Sequence, residues 1–188
     1  MGWCPWCLRG SGGSFVGSHD DHDSHAPVAV TQQLARLSDR LIVECAADST
    51  VLDSICARTA LPAADYADLD WAPHLLDKTA ASAGIDADQA QALRRATEGD
   101  AEAHPGYAGW YSSYSALTSV NSHETSKISA ALEAIDVAVL LRPGVVATAA
   151  AGTYFDEPVD YLAEHFENLR AFYRETARRG LGVLLWWD

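Results

Sequence analysis

The run Gly182-Val-Leu-Leu-Trp-Trp187 follows directly on a long amphipathic segment, and no polar residue interrupts it. A strand with one wet face alternates apolar and polar residues, so an unbroken run predicts a strand covered on both faces. The segment before it predicts a helix. Asp156 suits the cap and Pro158 the first turn. Val159, Leu162, Phe166, Leu169, Tyr173, Thr176 and Ala177 then fall within roughly 100° of arc at 100° per residue. Asp160, Glu164, Glu167, Arg174 and Arg178 take the other side, Glu175 and Arg179 stand at i, i+4, and Gly180 suits the end. Each large side chain buried between this helix and strand contributes about 1.5–3 kcal/mol. A net stability on the order of 5–15 kcal/mol makes that unit dominant.

Upstream, the pattern is helical with short interruptions. Thr31 is placed to cap a helix with Leu34, Leu37 and Leu41 on one stripe, although Leu41-Ile-Val43 reads equally as a short strand. Val51, Leu52, Ile55 and Cys56 predict a second helix, capped by Thr50 and ended by Leu61-Pro62. A third runs from Pro73 to Gly84, and a fourth from Asp86 to Gly99, close enough to pair antiparallel. Ala116 to Val120 reads as a short strand. Asn121 then caps a helix with Ile128, Ala131, Leu132 and Ile135 on one stripe, and Glu124 is placed to reach back to the cap. Residues 137–152 leave helix, strand and loop open. Together these elements predict an α+β fold: a single domain, residues 27–188, of about five helices on a small sheet.

Residues 1–26 differ from all that follows. Gly10-Ser-Gly-Gly-Ser14 and His19-Asp-Asp-His-Asp-Ser-His25 carry no apolar periodicity, so the segment reads as a flexible arm. It also holds the one metal-like cluster. Cys4 and Cys7, with His19 and His25, give C-x2-C-x11-H-x5-H, and His22 lies between the histidines; two thiolates and two imidazoles suffice for tetrahedral zinc. Few apolar residues lie between the ligands to build a finger core, which favours the inert arm. Cys4-Pro-Trp-Cys7 also matches a thioredoxin-like redox motif, but no strand precedes it and no helix follows to depress a thiol pKa.

Residues 104–114 are rich in glycine and aromatics and predict a loop. Trp110, Tyr111 and Tyr114 on it suit a protein or ligand contact, and equally suit packing over the core edge. His165, at the margin of the last helix's apolar face, reads as a boundary histidine. His123-Glu124-x-x-Lys127 lacks the second histidine of a zinc-protease helix.

Tyr154-Phe-Asp-Glu-Pro-Val-Asp-Tyr-Leu-Ala-Glu-His-Phe-Glu-Asn-Leu-Arg-Ala-Phe-Tyr173 with Gly180-Leu-Gly-Val-Leu-Leu-Trp186 resembles the C-terminus of the YfbM-like family of uncharacterised bacterial proteins. Leu117-Thr118 and the helix to Ile135 resemble the part before it. The likeness covers the C-terminal half and, more weakly, residues 71–99. It implies an α+β fold and carries over no activity, cofactor or catalytic residue.

Charge bounds the partners. With 26 acidic and 13 basic residues the net charge is −13, which would repel nucleic acid and favours a basic protein. Only two of the basic residues are lysines (Lys78 and Lys127), a bias that a GC-rich genome would also produce. No apolar run is long enough to span a membrane and the N-terminus lacks a secretory pattern, so a cytoplasmic protein is expected, with Cys45 and Cys56 as buried thiols. The nucleophile-elbow, Walker and dinucleotide motifs are missing. The expected function is therefore a non-enzymatic acidic interaction protein of inhibitor or immunity type. The alternatives are a zinc- or other metal-binding protein or metalloenzyme using the N-terminal cluster, and a cofactorless enzyme with scattered residues.

Overall fold

The computed structural model describes residues 30–153, 155 and 157–188. Five strands form one antiparallel sheet: β1 (Gln32–Leu37), β2 (Tyr66–Asp68), β3 (Ala101–Glu102), β4 (Thr118–Val120) and β5 (Gly182–Trp187), in the order β2-β1-β5-β4-β3. Eight α-helices accompany them among the described residues. They are α1 (Asp39–Ala47), α2 (Ser49–Cys56), α3 (Ala72–Ala83), α4 (Ala87–Glu98), α5 (Ser122–Ala134), α6 (Val137–Leu140), α7 (Pro143–Ala149) and α8 (Pro158–Arg178). The architecture is the expected α+β, with a long helix feeding a buried strand. The helices beyond about five are short: α6 and α7 fill the undecided stretch 137–152, and α1 takes the place of the strand alternative at Leu41–Val43.

The apolar run of β5 explains itself by position. It lies between β1 and β4, with Leu185 opposite Leu34 and Val183 opposite Val120. Leu34, Val120, Val183 and Leu185 face the larger helical layer, among them Leu76, Leu93, Ile128, Leu132, Phe166, Leu169 and Tyr173. Ala35, Leu37, Leu184 and Trp186 face the other way, onto Cys45, Leu52, Ile55 and Cys56 of α1 and α2. Both faces of β5 are thus covered, and residues of either parity must be apolar.

That double burial corrects the expected helix from Thr31. Leu34 and Leu37 are three apart, as on a helical stripe, but they lie on a strand and point to opposite cores. A strand buried on both sides accepts any apolar spacing, so periodicity does not separate it from a helix. Thr31 caps nothing; its N–H donates to the Asp188 carbonyl at 2.7 Å and its carbonyl accepts from Asp188 N at 3.1 Å, extending the sheet. The helix begins after Ser38, whose hydroxyl accepts from Leu41 N at 3.2 Å.

Smaller corrections have similar causes. Asp48, not Thr50, caps α2, because its carboxylate reaches both the N–H and the hydroxyl of Thr50, at 2.8 and 2.7 Å. Asn121 caps α5 as expected, accepting from Glu124 N at 3.0 Å. The Glu124 side chain turns instead to Arg95 and Lys127, at 2.6 and 2.8 Å. Glu175 pairs with Arg178 at 2.7 Å rather than with Arg179. Arg179 is drawn away to Asp65, a buried carboxylate that needs its charge matched. The expected cap at Asp156 lies outside the described residues. Gly84 (φ +73°) and Gly180 (φ +64°) take left-handed positions beyond α3 and α8.

Candidate functional site

At one end of the sheet the strands open into a cleft of about 400 Å³. Its floor comes from three adjacent strands. Gln32 lies opposite Trp187 and Thr118 opposite Leu185, so these four residues share the face that carries the larger helical layer. The walls are Pro73, His74 and Asp77 from the start of α3, Thr97 and Glu98 from the end of α4, and Ser115 with Ala116. Trp71 borders this end, half-exposed and edge-on to both Trp187 and His74, with ring centroids 6.2 and 6.3 Å away.

Gln32 carries the most information. It is 2% exposed, and its Nε2 donates to the Thr97 carbonyl, one of the last carbonyls of α4 and without a helical partner of its own. A carbonyl only accepts, so this bond fixes which way the amide is turned. Oε1 is left buried with no hydrogen-bond partner among the described residues. The carboxylates differ: Asp77 accepts from Arg94 at 3.1 Å, whereas Glu98 has no ion-pair partner among the described residues. Among the described residues, no lysine or arginine lines the cleft.

The wall holding Trp71 is fixed from behind. The Tyr161 hydroxyl accepts from Trp71 N and donates to Asp70, both at 3.1 Å, and Asp70 itself has φ +51°. Burial, then the Asp70 charge, raise the Tyr161 phenol above its ordinary value, so it stays a donor. His165 packs on the other side of Tyr161 with centroids 4.5 Å apart, half-buried at the edge of α8.

The 104–114 loop contains a single 3-10 turn at Trp110–Ser112. His104 Nδ1 bonds the Cys45 carbonyl at 2.8 Å, and the Tyr107 hydroxyl donates to Asp53. Tyr107 and Tyr111 both pack on the α1–α2 core, so Tyr111 is an anchor of the loop. Trp110 and Tyr114 point outward, 81% and 67% exposed. The three aromatics thus divide into one half-buried against the core and two free of it.

The proposed ligand set Cys4, Cys7, His19, His22 and His25 lies outside the described residues. Within them, no group of three or more His, Cys, Asp or Glu is arranged to hold a metal ion. Cys45 and Cys56 are free and buried; burial pushes the Cys45 thiol up to about 11 and raises that of Cys56 as well. No described helix is long and apolar enough to cross a membrane.

The cleft escaped the sequence because its lining comes from separate segments with no shared motif. The one signal was an amide at position 32 on the same strand face as the buried Leu34, since a buried polar side chain demands a partner.

No protein-family model matches the chain, and no curated protein matches it. Among solved structures it is similar to the crystal structure of YfbM, a protein of unknown function from Escherichia coli. The TM-score is 0.56 at 19% identity, over 84% of this chain and 99% of that one. The chain has a YfbM-like fold.

Proposed function

We propose that this chain is a non-enzymatic, acidic interaction protein of inhibitor or immunity type, acting in the cytoplasm on a basic protein through its 104–114 loop. The observation that carries the reading is the pair Trp110 and Tyr114, 81% and 67% exposed on a loop held down by Tyr107 and Tyr111. Large aromatics on an anchored loop lose little entropy on binding and make strong contact anchors. The net charge of −13 supports a basic partner, which it would steer, and disfavours nucleic acid.

A pull-down from lysate at low salt and at about 0.5 M salt tests it. A basic protein retained at low salt, released at high salt and lost with the Trp110→Ala/Tyr114→Ala double variant is the expected result. Absence of any salt-sensitive partner removes the basis of the reading.

The spacing C-x2-C-x11-H-x5-H favours a second reading, zinc held by Cys4, Cys7, His19 and His25 with His22 nearby. Stoichiometric zinc in untagged protein, lost on replacing Cys4 and Cys7 by serine, is its expected signature. Sub-stoichiometric metal unchanged by that replacement sinks it.

A further inference from the structure

We infer that the cleft between β1, β5 and the ends of α3 and α4 is a binding site for a small organic cation, an alkylammonium or alkylguanidinium, entering head first. The inference is independent of the partner reading above, since it uses none of the exposed loop aromatics.

Gln32 is the starting point. Its Nε2 has a structural task, closing the end of α4 at the Thr97 carbonyl. Its Oε1 has none: it is buried beneath the cleft, in a residue that lines it, without a donor among the described residues. A buried acceptor with no partner costs free energy, and water or a ligand donor is the usual relief. The turned amide demands that the missing group donate, not accept.

The lining selects the charge of that donor. Among the described residues, Glu98 enters the cleft without an ion-pair partner, Asp77 lines it while paired with Arg94, and no lysine or arginine lines the space. A phosphate or carboxylate ligand would meet the Glu98 carboxylate, which no paired cation offsets, whereas an ammonium or guanidinium would meet acceptors. Trp187 on the floor, with Trp71 edge-on to it, adds the aromatic surface that cations favour. Pro73, Ala116 and Leu185 supply apolar surface for a short aliphatic stem. A cleft of about 400 Å³ falls within the size range of small-molecule sites.

The test titrates the full chain with butylammonium, butylguanidinium, butanol and butyrate, following the Gln32 side-chain amide and the Trp187 indole by NMR. The two cations are expected to shift both signals, while butanol and butyrate at equal concentration leave them in place. Glu98→Gln, at an exposed position that tolerates the change, is expected to weaken cation binding about tenfold, as loss of one charge-assisted bond does. Trp187→Leu is expected to weaken both cations with no gain for butanol. Equal responses to butanol and to the cations, cation shifts confined to residues outside the cleft, unchanged cation affinity in Glu98→Gln, or no cation response at all would overturn the inference.

Discussion

The Tyr173 hydroxyl donates to the carbonyl of Ala96 at 2.9 Å, both residues being fully buried. The next carbonyl, Thr97, is taken by the Gln32 amide. Two successive orphan acceptors at the end of α4 are therefore closed by side chains from α8 and from β1, which stand far apart in the chain. Helix ends buried without such partners are costly. The end of α4 is thus where the long helix and the sheet are joined through polar bonds as well as through the core.

Removing the Tyr173 hydroxyl leaves the Ala96 carbonyl buried and unpaired. Tyr173→Phe is expected to cost about 1–3 kcal/mol in denaturant unfolding, with the slope of the transition unchanged. A cost below a few tenths would mean that water reaches this carbonyl.

Gly84 and Gly99 have nearly the same φ, +73° and +76°, but opposite surroundings. A Cβ at Gly84 meets nothing within 4 Å, while one at Gly99 would stand 2.5 Å from Thr118 Oγ1 and 2.6 Å from its Cβ. The ψ of Gly99, −177°, also lies in a region that is essentially glycine's alone. Gly84→Ala is expected to cost about 1 kcal/mol, and Gly99→Ala at least about 3 kcal/mol, strain and overpacking together. Thermal melts of the two single variants measure the gap, and equal costs would contradict it.

The division of the loop aromatics predicts opposite behaviour for neighbours. Trp110→Ala and Tyr114→Ala are expected to change stability by no more than about 0.5 kcal/mol. Tyr111→Ala removes a ring packed on the α1–α2 core and is expected to cost about 1–3 kcal/mol. Chemical denaturation of the three single variants checks this; a destabilised Trp110→Ala would place that ring in the core.

Hydrogen bonds from Lys127 and then Arg95 hold the Glu124 carboxyl down at about 2, below its usual range. A depressed carboxylate contributes stability that is present above the unfolded value near 4.5 and is lost as pH falls toward 2. Glu124→Gln is expected to lower stability at neutral pH and to flatten the loss between about pH 4.5 and 2. Unfolding curves across that range compare the two proteins. Parallel pH profiles would show that the carboxylate contributes nothing in the folded state.

Where capping chemistry and face burial act locally, the sequence was readable. Asn121 before α5, Asp86 before α4 and the stripe of α8 all appear as expected. Where a neighbour remote in sequence decides, it was not. β1 is a strand because β2 and β5 flank it, and Leu34 with Leu37 looks helical until those partners are known. Arg179 leaves Glu175 because Asp65 is buried beside it. The loop was legible as a loop, but which ring faces outward depended on α1 and α2, and the cleft depended on three strands converging.

Among the described residues β5 alone joins the two halves of the sheet, since β1 and β4 each bond to it and not to one another. Without β5 the halves are two ribbons of two strands, each marginal by itself. During synthesis at about 5–20 residues per second, β1 waits on the order of ten seconds for Gly182–Trp187 to be made. In that interval β1, and β4 once it is made, present open backbone edges to other nascent chains. The late arrival of one strand therefore sets a window in which a chaperone, or dilution, decides between folding and aggregation.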